Sequence, residues 1–198
     1  MGQWTLATSA GSAQAALTIP MVGSPYGIAI YNGGLLISDS ALHNLWTLPI
    51  FSGMGAPTNV AGTGSAGAVN GLGTTASFNG PRGVYCCDNS GNVYVADTLN
   101  NLIRVVSTNF AVSTLAGNIS AGWLDATGTT AKFSAPVDVA LDPTKSILYV
   151  TDQGNYRVRK VVVSSGVVST LAGSGTRGNH AGVGTALDRL AMALRITG

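Results

Sequence analysis

The chain has 198 residues, a formal net charge of +2, and charged side chains at only 9% of its positions, against roughly a quarter in an average soluble domain. All eight acidic residues are Asp, and 27 residues are Gly. Because Glu is absent and Asp and Gly favour turns, helical bundles and coiled coils are excluded. The hydrophobic fraction of 45% excludes a disordered chain, and the small net charge argues against a nucleic-acid-binding protein.

The N-terminal part of the chain is almost uncharged, with Asp39 as the single charged side chain in the first 81 residues. The apolar stretch from Ala10 to Gly23 is too short to cross a bilayer, so no membrane span is expected. Further along, Cys86 and Cys87 are adjacent. Neighbouring residues of a strand point to opposite faces, so we expect neither a disulfide nor a metal site from this pair.

A sequence repeat of about 55 residues is the main signal in the chain. A proline, an aspartate, a phenylalanine and a Thr-Leu-Ala-Gly motif recur with the same phase. The residues concerned are Pro25, Pro81 and Pro136; Asp39, Asp97 and Asp152; Phe78 and Phe133; and the glycines Gly117 and Gly173 that end the motif. Four markers that keep one phase indicate a structural repeat rather than chance similarity.

Each repeat unit contains short apolar segments separated by turns rich in Gly, Asp and Asn, which predicts antiparallel strands. The predicted first strands are Gly27–Tyr31, Gly83–Cys87 and Asp138–Asp142; the second are Leu35–Asp39, Asn92–Asp97 and Ile147–Asp152; the third are Leu45–Leu48, Leu102–Ser107 and Val158–Val163. A fourth strand ends in the Ala-Gly motif, and about twenty residues then lead to the next proline. Four antiparallel strands per unit are typical of β-propeller blades.

The predicted fold is therefore all-β, with about three full propeller blades and partial blades at both ends. The boundaries place the outer strand (Trp4–Ala7) and linker of a preceding blade at 1–24, blades at 25–80, 81–135 and 136–189, and the start of a further blade at 190–198. The last segment is either a strand, Leu194–Thr197, or a short helix whose apolar residues share one face. Propellers close with about four to eight blades. We therefore expect the rest of a larger propeller, or further copies of the chain, as a partner.

Two of the units resemble the NHL repeat in its long-linker form. The second unit has Phe78, Pro81-Arg82-Gly83-Val84 and Gly91-Asn92-Val93-Tyr94-Val95-Ala96-Asp97, and the third has Leu148-Tyr149-Val150-Thr151-Asp152 followed by Asn155 and Arg159. The first unit departs from the pattern at Leu42, Asn44 and Trp46. The resemblance implies a propeller, usually of six blades, that serves as a binding platform for protein, RNA or small ligands. Some enzymes, including an amide-forming peptide lyase, share this propeller.

The candidate binding surface is the end of the propeller formed by the turns between second and third strands. Its predicted residues are His43, Asn101 and Tyr156 at the turn tips, with Asp39, Asp97 and Asp152 beside them. Turn tips vary freely because the strands maintain the fold. The aspartates also have a structural interpretation, in which each carboxylate fixes its turn.

Other motifs favour structural interpretations. Asn100 and Asn155 are expected in left-handed turn positions, and Arg104 and Arg159 are expected to pair with the turn aspartates while their head groups stay in water. The series Gly62, Gly64, Gly67 and Gly173, Gly175, Gly178 matches a dinucleotide fingerprint, but no helix follows it, so we interpret these glycines as linker turns.

The sequence predicts a non-enzymatic NHL-like scaffold that binds a protein or a small ligand, with no cofactor, no catalytic residue and no metal ligand. Two alternatives stay open. One is a fragment of a propeller lyase or hydrolase with a metal in the central channel, and the other is a weak RNA-binding propeller that would use Arg157, Arg159 and Lys160.

Overall fold

The computed structural model describes residues 4–5, 18–19, 23–50 and 55–178. Three antiparallel sheets follow one another along the chain, each with four consecutive strands, and they are the three predicted blades. Blade 1 contains β3 (Pro25–Tyr31), β4 (Gly34–Asp39), β5 (Asn44–Pro49) and β6 (Thr58–Ala61). Blade 2 contains β8 (Pro81–Cys86), β9 (Val93–Asp97), β10 (Leu102–Val106) and β11 (Ala111–Gly117). Blade 3 contains β12 (Pro136–Leu141), β13 (Ile147–Asp152), β14 (Arg157–Val162) and β15 (Val168–Ala172). These sheets confirm the all-β prediction of four-stranded propeller blades.

The sequence markers coincide with fixed points of strand register. In all three blades the marker proline of the first strand lies opposite the marker aspartate of the second: Pro25 opposite Asp39, Pro81 opposite Asp97 and Pro136 opposite Asp152. A register shift follows each proline, and a second one lies near the start of each third strand. The repeat therefore preserves irregularities of pairing as well as the strands themselves.

The long linkers add to the outer edge of the blade that follows them. Strand β7 (Gly71–Leu72) pairs with β11 as a fifth strand of the second sheet. In blade 3 an isolated bridge between Thr127 and Val167 occupies the corresponding place. An uncovered strand edge offers unpaired backbone groups to other chains, so these two linkers protect the outer edges of blades 2 and 3.

The hydrophobic core lies between the sheets. One cluster joins blades 1 and 2 around Phe78, and the other joins blades 2 and 3 around Phe133, and both phenylalanines are completely buried. In β9 all five residues are buried, because one face of the strand packs on the preceding blade and the other on the following blade. This burial on both faces explains the high hydrophobic content and the scarcity of charge.

The first strands of neighbouring blades also contact each other, which places them at the inner side of the ring. Their close approach needs glycine. A Cβ on Gly27 would overlap the backbone of Arg82, and one on Gly83 would come within 2.5 Å of the Asp138 Cα and 2.7 Å of the Val137 carbonyl oxygen. The Ser38 hydroxyl adds a hydrogen bond to the Arg82 carbonyl across the same contact.

At the start of the chain, β1 (Trp4–Thr5) pairs with β2 (Thr18–Ile19), which places a strand within the predicted Trp4–Ala7. The first strand of blade 1 leaves three large side chains exposed, Tyr26 at 50%, Ile28 at 53% and Ile30 at 62%. In blade 2 the residue equivalent to Ile28 is Val84, which is buried against blade 1. The predicted segment 190–198, with either its strand or its helix, lies outside the described residues.

The expectation of two separate cysteine thiols is wrong. Strand β8 ends at Cys86, so Cys87 lies outside the paired ladder and the alternation of faces does not extend to it. The sulfur atoms of Cys86 and Cys87 are joined in a disulfide between adjacent residues.

Candidate functional site

The marker aspartates at the ends of the second strands are completely buried. In blade 2 the Oδ2 atom of Asp97 accepts hydrogen bonds from Asn100 Nδ2 and Arg104 Nη1, both at 2.9 Å, and its Oδ1 atom accepts one from the Asn79 backbone at 2.7 Å. Blade 3 repeats this arrangement, with Asp152 bonded to Asn155 Nδ2 at 2.7 Å, to Arg159 Nη1 at 2.9 Å and to the Ser134 backbone at 2.7 Å. We call each Asp-Asn-Arg set a clamp.

Each clamp attaches the preceding linker to its blade. The Arg104 guanidinium donates to the carbonyl oxygens of Ser77 and Val69 and to Asn70 Oδ1, at 2.8–3.1 Å. It also lies over the Phe78 ring, with 5.4 Å between the guanidinium carbon and the ring centroid. Arg159 makes the equivalent contacts in blade 3, to Lys132 O, Leu124 O, Asp125 Oδ1 and the Phe133 ring.

These contacts confirm that the two arginines pair with the turn aspartates, but the expectation of hydrated head groups is wrong, because both side chains are fully buried. A linker that wraps over the outer edge excludes water from the guanidinium, and its carbonyl groups replace the water as acceptors. Burial raises the pKa of Asp97 and of Asp152, while the hydrogen bonds from asparagine, backbone and arginine act in the opposite direction.

Blade 1 lacks the clamp. Leu42 and Trp46 occupy the places of the asparagine and the arginine, and Asp39 Oδ1 instead accepts backbone hydrogen bonds from Ser24, Ala41 and Leu42 at 2.9–3.0 Å. The Asp39 Oδ2 atom has no hydrogen-bond partner within the part of the chain that the structure describes. All three predicted aspartates therefore lie beneath the turns and position them.

The left-handed residues of the turns are His43, Asn101 and Tyr156, with φ of 53°, 58° and 49°. The expectation that Asn100 and Asn155 adopt this conformation is wrong by one residue, because each clamp asparagine ends a short 3-10 turn, Thr98–Asn100 or Gln153–Asn155, and the next residue reverses the chain.

Two of the predicted turn tips connect neighbouring blades. The Gly80 backbone donates to His43 Nδ1, and the Ala135 backbone donates to Asn101 Oδ1, each at 2.9 Å. In both cases the donor directly precedes the marker proline of the next blade. The Tyr156 side chain, by contrast, is 48% exposed. The predicted tips thus lie at one end of the blades, but His43 and Asn101 also contribute to blade packing.

The glycine series of the linkers consists of turns, in agreement with the sequence interpretation. Gly62, Gly64, Gly173 and Gly175 have φ between 83° and 105°, and none of them opens a helix in the described ranges. A Cβ on Gly173 would also overlap the Tyr156 carbonyl, so glycine is required there on two grounds.

The end of the blades that carries these turns has a distinct surface, which we call the turn-tip face. It comprises the turns 40–43, 98–101 and 153–156 and the adjoining linker segments 62–67, 117–123 and 173–178. Four of its large apolar side chains are exposed: Leu99 at 58%, Ile119 at 66%, Trp123 at 54% and Tyr156 at 48%. The linker is attached to the face by two hydrogen bonds. Asn101 Nδ2 donates to the Ile119 carbonyl, and Asn155 Nδ2 donates to the carbonyl of Gly122, the residue before Trp123.

Charge is unequal between the two ends of the blades. On the turn-tip face Asp97 and Asp152 are buried in clamps, whereas Arg157 is partly exposed and Arg177 is exposed. At the opposite end the hairpin loops of blades 2 and 3 contain Asp88, Asp142 and Lys145. Partial burial works to raise the pKa of Asp88, but hydrogen bonds from Tyr94, Asn92 and Ser90 outweigh it and lower the pKa.

Trp123 was not predicted as a site residue, but two side-chain contacts fix its ring. The Arg157 guanidinium stacks on its ring at 3.9 Å, and its Nε1 donates to Thr170 Oγ1 at 3.0 Å. Aligning the linkers would have drawn attention to it, because blade 2 has Ala68 and Leu102 where blade 3 has Trp123 and Arg157.

No group of three or more His, Cys, Asp or Glu side chains in the described part of the chain is arranged to bind a metal ion. No helix among the described residues is long and apolar enough to cross a membrane.

No protein-family model matches the sequence, and no curated protein matches it either. Solved structures do share its fold. An auxiliary nutrient binding protein from Bacteroides ovatus matches with a TM-score of 0.65 and 23% identity, over 78% of this chain and 39% of the other. One of the same description from Bacteroides thetaiotaomicron matches with a TM-score of 0.60 and 21% identity, over 72% and 36%. Virginiamycin B lyase from Staphylococcus aureus matches with a TM-score of 0.55 and 13% identity, over 85% and 47%.

The chain spans less than half the length of these three solved proteins. At this level of identity the matches show the propeller fold, which agrees with the three consecutive four-stranded sheets.

Proposed function

We propose that this chain is an NHL-like propeller segment that acts as a binding scaffold and that its ligand contacts the turn-tip face. The observation that carries the proposal is the grouping of Leu99, Ile119, Trp123 and Tyr156 as exposed apolar side chains on that face. Exposed apolar groups next to polar surroundings are typical of interaction sites. The buried clamps beneath the face fix the turns, which preorganises the surface for binding.

The comparisons support the proposal at a coarse level. Two solved structures with this fold are described as auxiliary nutrient binding proteins, which is compatible with a binding role for the segment. The predicted residues His43, Asn101, Tyr156, Asp39, Asp97 and Asp152 then have two roles. Tyr156 contacts the ligand, and the other five position the turns.

The test has two steps. A thermal-shift screen of peptides and small nutrients first identifies ligands. NMR or hydrogen exchange then maps the amides that respond to each ligand. Binding should protect or shift amides in 98–101, 118–123 and 153–157. Protection confined to the opposite hairpin loops, 88–91 and 142–146, would contradict it. A gel shift with RNA at low salt, or turnover that depends on an added divalent ion, would instead favour the RNA-binding or the lyase alternative.

We further propose that the exposed first strand of blade 1 packs against another blade, from a longer chain or from a second copy. Ile28 and Ile30 support this, because the equivalent position in blade 2 is buried against its neighbour. Light scattering measures the mass of this chain in solution. Packing between copies predicts a wild-type mass above that of a monomer and a monomeric mass for Ile28→Lys. A monomeric wild type contradicts packing between copies.

A further inference from the structure

We propose that the corner of blade 3 around Trp123 and Arg157 binds an acidic linear segment of another protein. This inference rests on the proposed function and specifies the partner of the turn-tip face. Three residue types dominate the energetics of protein–protein contacts, namely Trp, Tyr and Arg. Trp123 and Arg157 are in contact at one corner of the face, and the exposed Tyr156 directly precedes Arg157 in the chain.

The Trp123 ring is held in a fixed orientation. Its Nε1 atom is bonded to Thr170 Oγ1, and one ring face is covered by the Arg157 guanidinium at 3.9 Å. The side chain is still 54% exposed, so about half of it can contact a partner. An aromatic ring that is already ordered loses little conformational entropy on binding, which favours affinity.

The Arg157 guanidinium is also fixed and retains donors for a partner. It lies against the backbone of Gly175, where a Cβ would overlap it. Nη1 donates to Asn155 O at 3.0 Å and Nη2 to Ser174 O at 3.4 Å. Since a guanidinium has five N–H groups, three of them have no acceptor among the described residues and can bind a carboxylate.

The charge of the corner selects an acidic partner. The Lys132 side chain runs along the Cα of Gly122, next to Trp123, and Arg177 follows two residues after Gly175. The nearby Asp125 carboxylate accepts hydrogen bonds from Thr170 and pairs with Arg159, which also pairs with Asp152. The corner and the clamp beneath it thus hold two carboxylates, Asp125 and Asp152, against four cationic side chains, Lys132, Arg157, Arg159 and Arg177. Positive charge therefore exceeds negative charge around the open Trp123 ring, which is electrostatically complementary to Asp or Glu beside an apolar residue.

The repeat supplies variants that the fold accepts. Trp123→Ala, Arg157→Leu and Tyr156→Asn each introduce the residue that blade 2 has at the equivalent position, namely Ala68, Leu102 and Asn101. A matched control exists in blade 1, where Arg82 lies 5.1 Å from the ring centroid of the exposed Tyr26. Tyr26→Ala therefore removes an exposed, arginine-stacked ring at a different place on the same chain.

The experiment is a selection of a random linear peptide library on the immobilised chain, followed by fluorescence anisotropy with each recovered peptide. We expect enrichment of Asp or Glu next to an apolar residue. Trp123→Ala should weaken binding at least about tenfold, as for an interface hot spot, and Arg157→Leu should do the same and flatten the salt dependence. Tyr26→Ala should leave the affinity unchanged, and circular dichroism should show that every variant is folded.

Three results would overturn the inference. Recovered peptides without acidic residues, or acidic peptides whose Glu→Gln forms bind equally well, contradict the charge complementarity. Peptides that respond to Leu99→Ala but not to Trp123→Ala place the partner elsewhere on the turn-tip face, so that the proposed function stands and the inference fails. A selection that yields no binding peptide contradicts the inference, whereas the proposed function is then decided by the amide map with small-molecule ligands.

Discussion

The clamp in blade 2 predicts a large stability loss for Arg104→Leu. The guanidinium is fully buried, pairs with a fully buried Asp97 at 2.9 Å, and attaches the linker through Ser77, Val69 and Asn70. The substitution removes one partner of a buried ion pair and leaves the Asp97 charge without a compensating cation. Such a change costs about 3–5 kcal/mol.

Urea unfolding followed by circular dichroism measures this loss as a lower transition midpoint. In a chain of this size each kcal/mol corresponds to about 2–4 °C in melting temperature, so a thermal scan should show a decrease of roughly 10 °C. Hydrogen exchange should locate the defect in the linker, residues 67–78, before the remainder of blade 2 is affected. Arg177→Leu is the matched control, because Arg177 is exposed and surface substitutions change stability by about 0.5 kcal/mol or less.

A double mutant separates the ion pair from the packing. Each single variant leaves one buried charge without its partner, whereas the double variant Arg104→Leu/Asp97→Leu removes both charges. If the clamp is a coupled unit, the double variant should therefore lose less stability than the sum of the two single variants. Additive losses, or a single-variant loss no greater than that of Arg177→Leu, would refute the assignment of the clamp as the device that fixes the linker.

Three further predictions follow from other contacts. Gly83→Ala should destabilise the chain by about 1–3 kcal/mol by urea unfolding, because its Cβ would overlap the Asp138 side chain and crowd the backbone of blade 3; a wild-type midpoint would contradict this. Asn101→Ala should cost roughly 1 kcal/mol and accelerate exchange of the Ala135 amide, whose acceptor it removes; unchanged exchange would contradict it. Burial and the bond to Asp88 raise the pKa of Tyr94, so its ionisation is suppressed in the folded chain. The stability that this gives is complete below the unfolded pKa of about 10 and is lost as the pH rises towards the folded value. Tyr94→Phe should thus flatten the decline of stability above pH 10, and an unchanged slope would exclude this cause.

The repeated positions of the chain were predictable from sequence because they are fixed by register. Pro81 and Asp97 lie opposite each other in the same sheet, so their spacing cannot change without altering the strands or the turn between them. The ion pairs of Arg104 and Arg159 could be predicted for the same reason. Their complete burial could not, because it depends on where the linker runs, and a linker rich in small residues gives no periodic signal.

The candidate site was harder to predict, since its informative residues do not repeat. His43 and Asn101 were located correctly at turn tips, but their hydrogen bonds to the next blade depend on how the sheets are packed, which no local pattern records. Trp123 lies in an irregular linker, and its contact with Arg157 joins residues 34 positions apart in the chain. The vicinal disulfide was missed because the strand ends between its two residues.

The contrast between repeating and non-repeating residues assigns roles within the propeller. A clamp that occurs with the same Asp–Arg distance in blades 2 and 3 serves the fold, because both copies are buried beneath their turns, away from a ligand. A side chain that occurs once, is exposed, and is ordered by its own contacts has no such explanation. Trp123 meets these three conditions, and contacts with Thr170 and Arg157 fix its ring. Blade 2 forms with Ala68 at the equivalent position, so the ring is not needed to build a blade. Preorganised aromatic area contributes to binding at a lower entropic cost than flexible area, so the ordering of this ring is a property expected of a recognition site.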